Sequence, residues 1–266
     1  MKKIIISFLG LLIFSFIISS CKKNDNSVSA GNTNPDNSNY FPSTAGSHYQ
    51  YNFERTDSAN QQTTGIRDSR YQNFSGPAGN GIIYDIMQID SVNSNGSTTV
   101  YTSLFRKADN GIYYYLDTTG FSENLPPEFI PYLPNLQIDP ELLLLPSSLQ
   151  DGKTWTVFKI SLVQGLTFTV VDVEASYLGK ENIALNLQSG TVTKSAVKIQ
   201  YNFSLLNPIT QAKQTVTTLG WYVADIGAVK WEGNGLLLDV FTRGEINFAD
   251  STSTGSDNLI DYNISK

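Results

Sequence analysis

The chain has 266 residues with 18 basic and 24 acidic side chains, a formal net charge of −6, and its length suits a single β domain. An acidic balance argues against a nucleic-acid partner, whose usual footprint is a basic patch. One cysteine excludes an internal disulfide, and one histidine argues against a His-based triad or zinc site.

Aromatic residues are abundant, with 14 Tyr, 14 Phe and 3 Trp against only 16% charged residues, a composition that favours pleated surfaces over helices. The chain opens with Lys2 and Lys3, an apolar run over 4–18, and small residues at Ser19 and Ser20. That is the order of a secretory signal, and the run is too short for the roughly 20 apolar residues of a membrane span. Ile18-Ser19-Ser20-Cys21 resembles the lipobox of bacterial lipoproteins. The resemblance implies cleavage before Cys21, acylation of its thiol and amine with palmitate-type chains, and an outer-membrane anchor facing the periplasm or the cell surface. Two or more chains anchor firmly where one does not. Residues 1–20 thus read as a cleaved lipoprotein signal peptide. Residues 22–39 are nearly all small and polar and cannot bury enough surface to order themselves. Positions 21–39 are therefore expected to be the acylated cysteine and a tether of roughly 20 to 25 Å, with the folded domain over 40–266.

Tyr49, Tyr51 and Phe53 alternate with His48, Gln50, Asn52 and Glu54, the period of a half-buried strand with His48 on its polar side. Further strands are expected over 81–92, 98–107 and 110–117, the last two joined by the hairpin turn Asp109-Asn110-Gly111. Tyr113-Tyr114-Tyr115 places aromatic rings on both faces of its strand.

Over 121–149 the pattern breaks into an apolar insert punctuated by Pro126, Pro127, Pro131, Pro134, Pro140 and Pro146. It reads either as a plug, with a short helix starting at Pro140, or as a lid over a ligand. Strands resume over 153–162, 166–178, 182–188, 194–206, 212–225, 228–232 and 236–248, with turns at Gly165, Leu178-Gly179-Lys180, Asn207-Pro208 and Gly233-Asn234-Gly235. Separations this short favour antiparallel neighbours.

Gly152-Lys153-Thr154 lacks the earlier glycine of a phosphate-binding loop and precedes a strand, and no G-x-S-x-G, H-E-x-x-H or cysteine pair occurs. Asp172 and Glu174 share one strand face, but glycosidase carboxylates normally come from different strands or loops, so a solvated face is the simpler reading. Asp250, Ser251, Ser253 and Asp257 do not follow a calcium-loop spacing. No catalytic, metal or cofactor residue is assigned. Asp57-Ser58-Ala59, Asp90-Ser91-Val92, Asp117-Thr118-Thr119 and Asp250-Ser251-Thr252 resemble the periplasmic O-glycosylation tripeptide of Bacteroidota.

Tyr40-Phe41-Pro42 with Gly46 and Tyr49-x-Tyr51, then Gly152-Lys153-Thr154-Trp155, then Tyr222 with Gly227-x-Val229-Lys230 together resemble a group of uncharacterised Bacteroidota lipoproteins. This chain lacks that group's early Trp and has Asp225-Ile226-Gly227 where the group has Gly-Val-Gly. The resemblance implies a curved antiparallel sheet like the open half-barrels of lipoprotein carriers and lipid-binding envelope proteins. The expectation is therefore an all-β single domain of ten or eleven mostly antiparallel strands, curved or half-barrel, with an apolar insert that has room for a short helix. Its expected role is a non-enzymatic envelope lipoprotein binding a lipid or other apolar ligand. Phe129, Leu133, Leu142, Leu143 and Trp155 are candidates to line that ligand, and the membrane is a partner through Cys21. A surface module for glycan or protein is the alternative, and a glycan hydrolase a second one.

Overall fold

The computed structural model describes residues 34–117, 127–206, 210, 212–244 and 251–266, without the side chains of 127–129. Residues 1–20, Cys21, the tether up to 33, the Asn207-Pro208 turn and the Phe129 side chain lie outside that set. All described residues belong to one compact unit, Asn32–Lys266.

Thirteen strands form a single, mostly antiparallel sheet that stays open. From the centre, β1 (His48–Thr56), β2 (Gln62–Pro77), β3 (Ile83–Ser94), β4 (Ser97–Ala108) and β5 (Gly111–Tyr115) meander to one edge, completed by β7 (Glu141–Pro146). A 3-10 helix, Pro127–Asn135, precedes β6 (Leu136–Ile138), which forms the opposite edge beside β8 (Thr154–Gln164). From β8 the chain returns through β9 (Leu166–Leu187), β10 (Gly190–Leu206), β11 (Lys213–Val223), β12 (Gly227–Asn234) and β13 (Thr254–Asn263), and β13 pairs with β1.

The two edges flank Asp139 and Pro140, so the insert sits at the seam of the sheet. Proline lacks the N–H a ladder needs, which suits it to an edge. Side chains cross the seam instead of a ladder. Trp155 Nε1 donates to the Leu143 carbonyl at 3.1 Å and Tyr201 Oη to the Leu144 carbonyl at 3.1 Å. The expected helix from Pro140 is replaced by β7, because Leu142, Leu144 and Leu145 are needed as a buried strand face. The insert's helical turn lies earlier, over Pro127–Asn135.

Of the strand expected over 236–248, residues 245–248 lie outside the described residues and 236–243 belong to α1 (Gly235–Arg243), a helix buried on nearly every side. Its run of Leu236, Leu237 and Leu238 carries no period that separates helix from strand. Its ends do: the Asn234 side chain accepts from Leu236 N at 3.1 Å, and Gly244 takes the left-handed conformation at φ 75°, a common helix stop. Leu178-Gly179-Lys180, expected as a turn, is a bulge within β9, where Gly179 has φ 106° and the register to β10 shifts. A bulge bends its strand. Four strands, β2, β6, β7 and β13, are additions to the expected set, and the expected strands over 166–178 and 182–188 are one, β9.

Residues 36–39, expected in the tether, are fixed to the domain. Asp36 and Leu149 exchange backbone hydrogen bonds at 2.7 and 3.0 Å, and the Asn39 carbonyl accepts from Asp225 N at 2.8 Å. The main core joins Tyr40 and Phe41 to residues of β3–β5, β7–β12 and α1. A second cluster joins Tyr49, Tyr51 and Leu259 to Leu185, Trp221, Val223, Ile226 and Val229.

Candidate functional site

The inner face of the central strands carries charge. Arg67 on β2 is 4% exposed and donates through Nε to Asp257 on β13 at 2.9 Å and through Nη1 to Asp90 on β3 at 3.2 Å. Ser69 and Gln88 complete the shell of Asp90, and the Arg67 guanidinium lies 4.1 Å from the Tyr51 ring centre. Arg55 joins from β1, 2.7 Å from Asp257 and 3.5 Å from Asp239 on α1, which also meets Arg243 at 3.5 Å. Three arginines thus face three aspartates. Burial raises the Asp257 carboxyl, but Arg67 and Arg55 outweigh it and hold the group below the usual carboxylate range. Matched charge of this kind ties β1, β2, β3, β13 and α1 into one register.

Between this network and the main core lies an inner cavity of about 40 Å³. Arg67, Ser69 and Gln88 border it, with Tyr51, Tyr71 and Trp231 among its aromatic walls. Phe41, Pro42, Tyr49 and Gly227 border it too, so residues of the early and late sequence motifs meet here. Tyr49 Oη donates to the Pro42 carbonyl at 2.8 Å, which holds the strap formed by residues 36–42 over the cavity. The space suits roughly three water molecules.

Four of the residues expected to line an apolar ligand have described side chains. Leu142 is fully buried in the main core, Leu133 and Leu143 are half-buried against it, and Trp155 packs edge-on to Tyr201 with ring centres 6.4 Å apart. The structure brings Leu143 and Trp155 together at the seam, and none of these four borders the inner cavity. His48, expected on the polar side of β1, binds Asp68 through Nε2 at 2.8 Å. Asp172 meets Lys159 at 3.7 Å on the outer face of β9, and Glu174 is exposed. No group of three or more His, Cys, Asp or Glu suited to a metal occurs among the described residues. Arg67, Asp90 and Asp257 were not singled out from the sequence as a network. A faint signal exists in Arg67-x-Ser69 beside Gln88-x-Asp90, two polar pairs at strand spacing.

A larger recess lies outside. β8 covers β9 only as far as Ser176, and β11 covers β10 only from Ala196. The intervening hairpin is a two-stranded arm that arches over the sheet. Ile183, Leu185 and Leu187 on its apolar side pack on the second cluster. At its tip Gln188 N donates to the Ile260 carbonyl at 2.8 Å, and Gln188 Nε2 to Gln50 Oε1 at 2.7 Å. Under the arch is a recess of about 630 Å³ bordered by Asn52, Glu181, Trp221, Lys230, Asn258 and Ile260. Lys198 and Lys230, one on each neighbouring strand, lie 4.9 and 4.7 Å from the Trp221 ring centre, and Trp221 Nε1 donates to Glu181. Hydrogen bonding to that indole holds the Glu181 carboxyl below its usual range, with Lys198 adding to the effect.

The chain matches no protein-family model and no curated protein sequence. It is similar to two solved structures. One is a protein inferred to be exported, with a YMCC-like fold, from Bacteroides fragilis, 12% identical with a TM-score of 0.44 over 85% of this chain and 99% of that one. The other is an inferred lipoprotein from Parabacteroides distasonis, 11% identical with a TM-score of 0.40 over 86% of this chain and 100% of that one.

Proposed function

We propose that this chain is a non-catalytic binding module of the bacterial envelope, anchored to the outer membrane through acyl chains on Cys21, that holds its partner in the recess under the arm. The carrying observation is the contrast in volume: the inner cavity is about 40 Å³ and the outer recess about 630 Å³. Ligand sites commonly span about 300 to 1,000 Å³, so the outer recess has the size of one and the inner cavity does not. An apolar ligand inside the sheet has little support, since α1, Tyr201, Trp231 and Phe241 fill that space. The anchor rests on Lys2, Lys3, the apolar run and the Ile18-to-Cys21 motif.

Two measurements test this. Cells fed an alkyne-tagged palmitate should label the protein, and Cys21→Ala should lose both the label and membrane association; retention of both overturns the anchor. A photo-crosslinking amino acid at Asn258, in the recess, should give adducts in intact cells while one at exposed Val100 on β4 gives none. Equal yields at both positions, or none at Asn258, overturn the recess.

A further inference from the structure

The recess offers hydrogen-bonding backbone, and that narrows what it takes. In the arm, Leu187 and Gly190 close the two-residue turn Gln188-Ser189 and pair with each other. Backbone groups alternate in direction along an antiparallel strand. With Leu187 turned to β10, residues 185, 183 and 181 also face β10, and Asn182, Ala184 and Asn186 turn their N–H and C=O away from it. Gln188 N, on the same side, already crosses to Ile260. No strand pairs with that edge of β9 beyond Ser176 among the described residues. An edge of this kind is a template for another strand.

Two further features select the occupant. The stacking surface a sugar ring would use is closed, because Trp221 is 5% exposed and two lysines reach over its ring. Charge in the recess is balanced, with Lys198 3.5 Å from Glu181 and Lys230 2.5 Å from Glu232, so a polyanion finds no excess of positive charge. We propose that the recess binds an extended peptide segment of a partner protein, which adds as a strand to the free edge of β9 at Asn182, Ala184 and Asn186. This rests on the recess being the binding site and names its partner class.

The test screens the full acylated chain in detergent micelles against an array of random octapeptides and, in parallel, a glycan array. Peptide hits should then lose at least tenfold in affinity for the Ala184→Pro protein. Proline there removes an outward N–H that no ladder uses, so its melting curve should match the parent's. A second readout does not depend on that variant folding. Methylating the backbone nitrogens of a hit peptide one at a time should abolish binding at every second position, and uniform tolerance to methylation overturns the proposal. Glycan hits without peptide hits overturn strand addition but keep the recess as the site, provided Asn52→Ala or Asn258→Ala weakens them. Hits on neither array overturn both readings. A dimer by light scattering that Ala184→Pro dissolves replaces the partner with a second copy of this chain and overturns the proposal.

Discussion

The inner surface of this one sheet is built in two chemistries. Along β8, β9 and β10 it is apolar, with Ile160, Val171, Val173 and Ile199 each at most 1% exposed. Along β1, β2, β3 and β13 it is ionic, with Arg55, Arg67, Asp90 and Asp257 in contact. α1 touches both, through Leu236 and Phe241 on one side and Asp239 and Thr242 on the other. The difference lies in specificity. Apolar contacts are non-directional and tolerate rearrangement, whereas a buried arginine with two carboxylates fits one register only. A buried ion pair adds little net stability over a hydrophobic replacement, but removing one partner is costly.

That contrast yields an ordered set of tests by chemical denaturation. Arg67→Met leaves Asp90 buried without its cation and Asp257 with Arg55 alone, and should cost about 3 to 5 kcal/mol. A loss below about 1 kcal/mol would erase the distinction between the halves. Leu142→Ala, on the apolar side, removes a fully buried side chain and should cost roughly 3 kcal/mol. Its signature differs, because small apolar compounds should recover part of the loss in Leu142→Ala but none in Arg67→Met. Asn234→Ala removes the cap of α1 and its bonds to the Ser251 and Ser253 carbonyls, and should cost about 1 to 2 kcal/mol. Since α1 serves both halves, fluorescence and circular dichroism should report the same lowered transition.

The smallest effect is a pH dependence at the strap. Burial pushes the Asp36 carboxyl up, but Lys180, Tyr40 and Ser38 outweigh it and hold the group well below the usual range. A depressed carboxylate stabilises the fold above its unfolded pKa of about 3.9 and loses that contribution as pH falls through the lower folded value. Asp36→Asn should therefore lower Tm by roughly 2 °C at pH 7, with the gap to the parent narrowing steadily below pH 4.

The same contrast explains which strands could be read in advance. β1 announces itself because Tyr49, Tyr51 and Phe53 are the buried members of its alternation. β2 and β13 are as regular, yet their buried members include Arg67, Ser69 and Asp257, so an apolar-against-polar reading sees no period. α1 is hidden for a different reason: its polar residues Asp239, Thr242 and Arg243 face the ionic network instead of solvent, and the Leu236-Leu237-Leu238 run carries no period of its own. The recess was invisible because it depends on β9 and β10 outrunning β8 and β11, a mismatch of pairing rather than of residue type.

By itself the sequence determined the class of fold, the hairpin at Asp109-Asn110-Gly111 and the proline-rich break over 121–149, because alternation and turn chemistry are local properties. Only the tertiary structure decided that this break becomes the seam of the sheet, that Arg67 and Asp257, 190 residues apart, form one buried pair, and that the main open space lies outside. Those outcomes depend on which distant strands meet, and pairing between distant strands is settled by burial and charge matching across the whole sheet.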